Sequence, residues 1–531
     1  MTRRCLLLFF AAGSLTAQVS FDRILHPDRE PQNWLTYSGS VSSQRYSTLT
    51  QVTPANVKNL ELQWVFQARS LEKFEATPLV VDGVLYTVEA PNDVVALDAV
   101  TGRIYWTFPY TPAPEARACC GRVNRGLAIL GDTLYMVTLD AHLIALDAKT
   151  GQLLWNTKVA NASEHYTITH APLVVKDKVI VGTAGGDIGI RGLIAAYDAH
   201  TGKEIWRFYT IPGPGEPGHE TWAGDSWKLG GAAIWNTGSY DPETNLTFWG
   251  TGNPQPDWDG RQRLGDNLYS DCVLALDADT GKLKWYYQFT PHDEMDYDST
   301  QVAVLANMDW KGQPRKVMLW ANRNGLMYVL DRVTGQFLMG KPFVDVNWMN
   351  GFDEKGRPMR VPGKVPTPDG ALIKPTVLGG TNWYPPSYSP HTGLFYISSW
   401  ENTGTVAREG GRPKATGNTA MGAATLGTNL KTEEEGYGAV RAFDPKTGER
   451  KWQFKMNDIT WAGVLSTAAD LVFSGGREGY FFALNARTGE LLWKAALGGQ
   501  VNSGPMSYSV NGRQYIAVCA GNALFTFALR Q

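Results

Sequence analysis

The sequence predicts an all-β chain folded as an eight-bladed β-propeller whose blades dock through tryptophan, and three observations predict it. The first is a repeat, apolar-apolar-Ala-Leu-Asp-Ala-x-Thr-Gly-x-x-x-Trp. It runs as VVALDAVTGRIYW to Trp106, LIALDAKTGQLLW to Trp155, IAAYDAHTGKEIW to Trp206, VLALDADTGKLKW to Trp285, VRAFDPKTGERKW to Trp452 and FFALNARTGELLW to Trp493. A seventh copy, MYVLDRVTGQFLM, ends in Met339, and a degenerate one, GSYDPETNLTFW, ends at Trp249. The second is spacing: Asp98 to Asp147 is 49 residues and Asp147 to Asp198 is 51, one four-stranded blade each. The third is composition, with 19 Trp and 56 Gly among 531 residues, as turn-rich repeats with aromatic joints require.

Each copy reads as an apolar strand, a tight Asp-x-x-Thr-Gly turn whose Gly takes positive φ, and a second strand. The turn sets the Trp at a fixed distance, where its ring covers the joint with the next unit. The gaps from Asp198 to Asp277 and from Asp331 to Asp444, 79 and 113 residues, hold long loops or degenerate blades. With LELQWVF around Trp64 counted as a strand that closes the ring, eight blades fit best, with seven as the alternative. The Pro- and Gly-rich stretch 344–370 reads as a surface excursion. One ring domain, residues 18–531, follows a short leader.

That leader, residues 1–17, reads as an export signal. Arg3 and Arg4 form a basic start, Cys5 to Ala12 an apolar run too short to span a bilayer, and Ala17 a small residue before cleavage. No other segment has transmembrane character, so the chain is not an integral membrane protein. With 49 basic against 51 acidic side chains and a net charge of −2, it lacks the basic excess of a nucleic-acid binder. Export removes Cys5 and leaves four cysteines in an oxidising compartment.

Two of these are neighbours, Cys119 and Cys120 in ARACCGRVNRG. Ordinary disulfides join Cα atoms ~4.4–6.8 Å apart, and sequence neighbours sit about 3.8 Å apart. Two thiols, a metal site and a strained ring all remain open on these residues alone.

The Trp-ended repeat, with ACCGRVNRG after its first full copy and TPHDEMDYDST after its fourth, resembles the pyrroloquinoline-quinone (PQQ) dependent alcohol dehydrogenases of the methanol and ethanol dehydrogenase family. The resemblance covers essentially the whole mature chain. It implies a vicinal disulfide between Cys119 and Cys120 lying against one face of the quinone, with Trp235 on the other. It also implies Arg125 as a clamp on a cofactor carboxylate, since a guanidinium bonds both oxygens. Glu75, Thr169, Gly185, Gly186, Asp187, Asn382 and Trp461 match further positions around the cofactor.

The resemblance places a metal ion on Asp187 of GTAGGDIG, Asn253 of GTGNPQP and Asp296, with the cofactor's own groups completing the shell. Oxygen donors of this kind suit calcium or a lanthanide rather than zinc. The family usually has Glu where this chain has Asp187. Asp298 stands at the offset that marks lanthanide users, and its extra anionic oxygen suits a trivalent ion, so a lanthanide is expected, with Ca2+ as the alternative. Asp296 matches the catalytic carboxylate that takes the alcohol's proton as hydride leaves for the quinone, and Arg323 of ANRNG the cation that bridges base and quinone oxygens.

The implied function is oxidation of a small primary alcohol to an aldehyde in the periplasm. The chain carries no Cys-x-x-Cys-His, so a separate periplasmic cytochrome c is the expected electron acceptor. Trp258, near NPQPDW, is a candidate for setting alcohol size, and a homodimer is compatible with the sequence. The competing reading is a non-catalytic propeller such as the scaffold lipoprotein of outer-membrane barrel assembly, which shares the Trp repeats. It needs neither the cysteine pair nor Asn253, Asp296, Asp298 and Arg323.

Overall fold

The structure is a computed structural model that describes residues 19–408 and 436–530; the expected signal at 1–17 lies outside the described residues. Among the described residues, eight sheets form the ring, each of four antiparallel strands, one of them joined by the short strand Tyr46–Ser47 in parallel. The first blade, Leu79–Val81, Val84–Glu89, Asp93–Asp98 and Ile104–Phe108, sets the pattern, and the strands pair strictly in chain order. In the blade that closes the ring, Leu60–Gln67 pairs antiparallel with Ala523–Leu529, so the chain's beginning supplies the outer strand to three strands from its end. Trp64 sits in that outer strand, as the sequence predicts.

The repeat motif forms the third strand, the turn and the fourth strand of its blade. In the first copy Asp98 Oδ1 accepts the amides of Val100 and Thr101, both at 2.9 Å, and Gly102 takes φ +72°. The glycine has a second reason that the sequence did not show. A Cβ at Gly102 would stand 2.7 Å from the Trp64 ring, and one at Gly151 would stand 2.5 Å from the Trp106 ring. Each Trp therefore lies flat on the turn glycine of the following blade, and Trp106 Nε1 donates to the Ala148 carbonyl at 3.2 Å. Trp452 repeats the arrangement on Gly489 and Ala486, and Trp493 reaches the Leu60 carbonyl at 3.2 Å, which carries the docking across the closure.

Two expectations need correction. The degenerate copy ending at Trp249 is no blade joint: Trp249 lies in the second strand of its blade, Leu246–Gly250, between Ser239–Asp241 and Cys272–Asp277. The turn before it joins strands one and two, and its Asp-x-x-Thr chemistry served a different hairpin. The stretch 344–370 is more than a surface excursion. It carries the hairpin Met349–Phe352 with Pro358–Arg360, and its Trp348 is fully buried, with Nε1 donating to the Asn324 carbonyl at 2.9 Å. Arg360 donates to the His292 carbonyl at 2.9 Å, so the stretch braces the PHDEMDYD loop.

Residues 32–46 run along the innermost strands of the ring. Their carbonyls accept from the innermost strands of successive blades: Trp34 from Val80, Val41 from Tyr240, Ser42 from Leu305, Gln44 from Tyr388 and Arg45 from Ser466. Arg45 is fully buried and donates to the carbonyls of Tyr37, Gly504 and Pro505, which satisfies a guanidinium that burial would otherwise penalise.

Candidate active site

The candidate residues lie just before the first strand of a blade or just after the second: Glu75 precedes Leu79–Val81, Arg125 precedes Ala128–Leu130, Asn253 follows Leu246–Gly250, and Arg323 follows Gln313–Ala321. In an antiparallel meander those two ends fall on the same side. All the candidates therefore share one face of the ring, and the Asp-x-x-Thr-Gly turns occupy the other.

Arg323 is the centre of one half of the site. Its Nη1 donates to Asp298 Oδ2 at 2.5 Å, its Nη2 to Asp296 Oδ2 at 3.2 Å, and its Nε to the Val377 carbonyl at 2.7 Å. Asp298 Oδ1 accepts the Asn253 amide at 2.9 Å. Gly252 makes this approach available, since a Cβ there would stand 2.5 Å from Asp298 Oδ1. Burial pushes the Asp298 carboxyl up to about 6, opposed by Arg323 and reinforced by Asp187. Burial likewise raises Asp296 well above the carboxylate range, with Arg323 opposing and Asp298, Asp257 and Asp187 adding to the rise. Four carboxylates thus act on one another around a single guanidinium.

Asp296 adopts φ +57°, a strained conformation for a non-glycine residue. The cause is Asp293, whose buried carboxylate accepts the amides of Met295 at 3.0 Å and Tyr297 at 2.7 Å, the two residues that flank Asp296. Arg263, fully buried, donates to the carbonyls of Pro256 and Asp293 and to Asn267 Oδ1. It ties the Asn253 loop to the Asp296 loop. Asn253 Nδ2 donates to Asp257 Oδ1 at 2.7 Å, which fixes which way the amide oxygen points.

The other half is built on Arg125. It pairs with Glu75 at 3.0 Å, donates to Thr169 Oγ1 at 2.9 Å and to the Trp235 carbonyl at 3.1 Å, and lies 5.3 Å from the Trp235 ring centroid. Burial raises the Glu75 carboxyl, with Arg125 and Lys73 opposing. Cys119 and Cys120 are paired, with Cα atoms 3.8 Å apart, and both are exposed. Trp235 is half-buried, so its ring also has an open side. Gly185 and Gly186 lead into the short 3-10 turn Gly186–Ile188 that carries Asp187. Asn382 donates to the Leu378 carbonyl at 2.9 Å, and Trp461 packs edge-on against Trp400 at 5.3 Å. Ala184, just before Gly185, pairs through its backbone with Thr167.

Sequence reasoning missed Asp293, Asp257, Arg263 and Trp383. The Trp383 ring stacks under Arg125 at 4.5 Å and was legible only as the neighbour of Asn382. Asp293 could have been read from PHDEMDYD as a turn-forming Asp three residues before the base. Arg263 carries no local signal, because its partners lie on three separate segments.

The donor chemistry fits a flat polyanion with a hard cation. Arg125 Nε and Asp296 Oδ1 are buried and have no hydrogen-bond partner among the described residues. Such atoms call for a ligand, because leaving them unmade is costly. No group of three or more metal-binding side chains is preassembled among the described residues, so the protein's carboxylates and Asn253 supply part of a shell and a ligand must complete it.

Comparison with known proteins gives the following similarities. Residues 34–347 match the family model described as glucose/ethanol/alcohol dehydrogenase, beta-propeller domain, and residues 436–528 match one described as outer membrane protein assembly factor BamB. The chain is 39% identical to quinoprotein alcohol dehydrogenase PedH of Pseudomonas putida, over 96% of this chain and 89% of that protein. It is 37% identical to the lanthanide-dependent methanol dehydrogenase of Methylacidiphilum fumariolicum, over 97% and 88%. Among solved structures, quinohemoprotein alcohol dehydrogenase ADHIIG of Pseudomonas putida superposes with a TM-score of 0.90 at 36% identity, covering 97% of this chain and 83% of that one. A europium-containing methanol dehydrogenase gives 0.85 at 33%, covering 96% and 100%. The BamB match is confined to three blades that carry the Trp repeat and, of the candidate residues, only Trp461. Repeat, site geometry and full-length similarity together place this chain in the PQQ-dependent quinoprotein alcohol dehydrogenase family.

Proposed function

We propose that this enzyme oxidises primary alcohols to aldehydes in the periplasm with PQQ and a hard metal ion, a lanthanide in preference to calcium, and passes the electrons to a cytochrome c. We also infer one propeller domain at 18–531 behind an export signal at 1–17. The observation that carries the reading is Asp296: a strained, half-buried carboxylate with one oxygen held by Arg323 and the other, Oδ1, buried and without a partner among the described residues.

When bound, PQQ supplies the two-electron acceptor for hydride from the alcohol carbon, and the metal a Lewis acid. Asp187, Asn253, Asp296 and Asp298 would hold the metal. Asp298 engages both its oxygens with Arg323 and the Asn253 amide, so it would bind the ion through remaining lone pairs while keeping those bonds. Arg125 and Thr169 would take a cofactor carboxylate, with Glu75, Gly185, Gly186, Asn382 and Trp461 lining the slot between the Cys119–Cys120 pair and the Trp235 ring.

Asp296 accepts the alcohol's hydroxyl proton on Oδ1, because Arg323 occupies Oδ2 and keeps the carboxylate oriented. The Arg323 charge stabilises the anionic form of the base and the negative charge that develops beside it. Trp258 and Met295, buried in the apolar cluster flanking Asp296, exclude water and take the alcohol's carbon chain. The proton then leaves Asp296 to solvent as the aldehyde departs.

The test is dye-linked activity of the metal-free apoprotein given PQQ with calcium or with a light lanthanide, across a short series of primary alcohols. Activity with the lanthanide exceeding that with calcium is expected. No activity with either ion overturns the enzymatic reading, and activity with calcium alone overturns the lanthanide assignment to Asp298.

A further inference from the structure

The cofactor slot has more negative than positive side chains. Arg125 and Arg323 stand against Glu75, Asp187, Asp296 and Asp298, and PQQ brings three carboxylates of its own. Arg125 is also partly engaged already, since Glu75 takes one of its nitrogens at 3.0 Å. A trianion needs a further cation on the side away from the metal, and the chain supplies one at the rim.

That cation is Lys73. Its Nζ lies 5.1 Å from the Trp461 ring centroid, and it is the second cation after Arg125 to act on the buried Glu75 carboxyl. Its place is fixed by backbone at both ends of its loop: Ala68 N donates to the Asn522 carbonyl at 2.9 Å, and Phe74 N to the Gly521 carbonyl at 3.1 Å. The Trp461 ring is in turn held edge-on by Trp400. Lys73 is exposed and Phe74 beside it is buried, so the loop is anchored while the ammonium faces solvent at the slot's mouth. Among the described residues no carboxylate makes a hydrogen bond or ion pair with this ammonium, so its tie to the Trp461 face is a weak one that an anion displaces.

We propose that Lys73 is a second carboxylate anchor for the cofactor, resting on the Trp461 face in the protein alone and turning onto a PQQ carboxylate at the open rim when the slot fills. This rests on the quinoprotein reading above. A four-carbon stem with three rotatable donors suits that late contact, whereas the rigid Arg125 fork suits the buried one.

The experiment titrates PQQ into metal-free and lanthanide-loaded apoprotein and follows tryptophan fluorescence, with equilibrium dialysis as a second readout. Lys73→Ala is expected to weaken PQQ binding about tenfold, a charge-assisted hydrogen bond at a partly solvated site, and Lys73→Arg to recover most of it. The difference between wild type and Lys73→Ala should shrink in about 0.5 M salt, because the contact is at the rim. Lys446→Ala, which removes the same charge at an exposed outer turn, should bind as wild type. Equal affinity of wild type and Lys73→Ala overturns this inference and leaves the functional reading standing. Failure of the wild type to bind PQQ at all overturns the functional reading, and this inference with it.

Discussion

Replacing Arg323 by Leu removes the one guanidinium that the Asp296 and Asp298 side chains share. Arg323 is 5% exposed and makes three charged or buried bonds, at 2.5 Å to Asp298, 3.2 Å to Asp296 and 2.7 Å to the Val377 carbonyl. Breaking a buried ion pair by removing one partner costs about 3–5 kcal/mol, because the remaining charge is stranded. The Val377 carbonyl loses its donor as well, and some of the cost is relieved by protonating a carboxylate, so a net loss of about 4 kcal/mol is expected for the metal-free protein. Unfolding entropy of about 2.1 cal/mol/K per residue gives roughly 1.1 kcal/mol/K for a 531-residue chain that unfolds as one unit, and hence a Tm about 4 °C lower. The pH dependence has a fixed sign. Burial raises both carboxyls above their ordinary values, so the folded state holds more protons than the unfolded one and stability falls as pH rises. Losing Arg323 raises them further, and the deficit of the variant should be greatest near pH 8 and shrink toward pH 5. Differential scanning calorimetry of metal-free wild type, Arg323→Leu and Arg323→Lys at both pH values measures it. A Leu variant within about 1 °C of wild type at pH 8 would show that the carboxylates are not held as stranded charges, and would refute the reasoning.

Four further outcomes follow from the structure. Asp296→Ala should keep the wild-type circular dichroism and lose turnover by at least about a thousandfold; retained turnover places the base elsewhere. Asp298→Ala should shift metal preference from lanthanide toward calcium, read from activity titrations with each ion. His170 is fully buried, its protonated form is disfavoured by burial to a pKa of about 4, and it holds the Gly182 amide at 3.0 Å. Its contribution is therefore complete above about pH 6.5 and lost as pH falls toward 4, by up to about 3 kcal/mol, and His170→Gln should flatten the urea-stability profile across that window relative to wild type. Gly151→Ala should destabilise by about 2 kcal/mol or more, since the new Cβ meets the Trp106 ring at 2.5 Å and the backbone is at φ +72°; unchanged urea stability would show that the ring moves aside without cost.

The blade joints were legible because they are local. An Asp-x-x-Thr-Gly turn and a Trp four residues on are set by hydrogen bonds and φ angles within a dozen residues, so the sequence by itself determined the strand-turn-strand unit and the docking of one blade on the next. Even there it showed only one of two reasons for the glycine, since the Trp ring that excludes a Cβ belongs to the preceding blade. Met339 shows the tolerance of the same joint, with an apolar side chain in place of the ring. GSYDPETNLTFW shows its limit: the same turn chemistry serves a hairpin between first and second strands, and nothing local distinguishes the two.

The site was legible only by resemblance, residue by residue, because its members come from loops up to several hundred positions apart. Ring closure decides that these loops meet, by pairing Leu60–Gln67 with Ala523–Leu529 and by putting the start of every first strand and the end of every second strand on one face. Only the tertiary structure could show that Asp293 holds the amides on both sides of the strained Asp296, that Arg263 ties two loops together, or that Lys73 sits over the Trp461 ring. The physical reason is that turns and docking rings are fixed by neighbours in sequence. Charge balance around Arg125 and Arg323 is fixed by neighbours in space, and those exist only once the ring has closed.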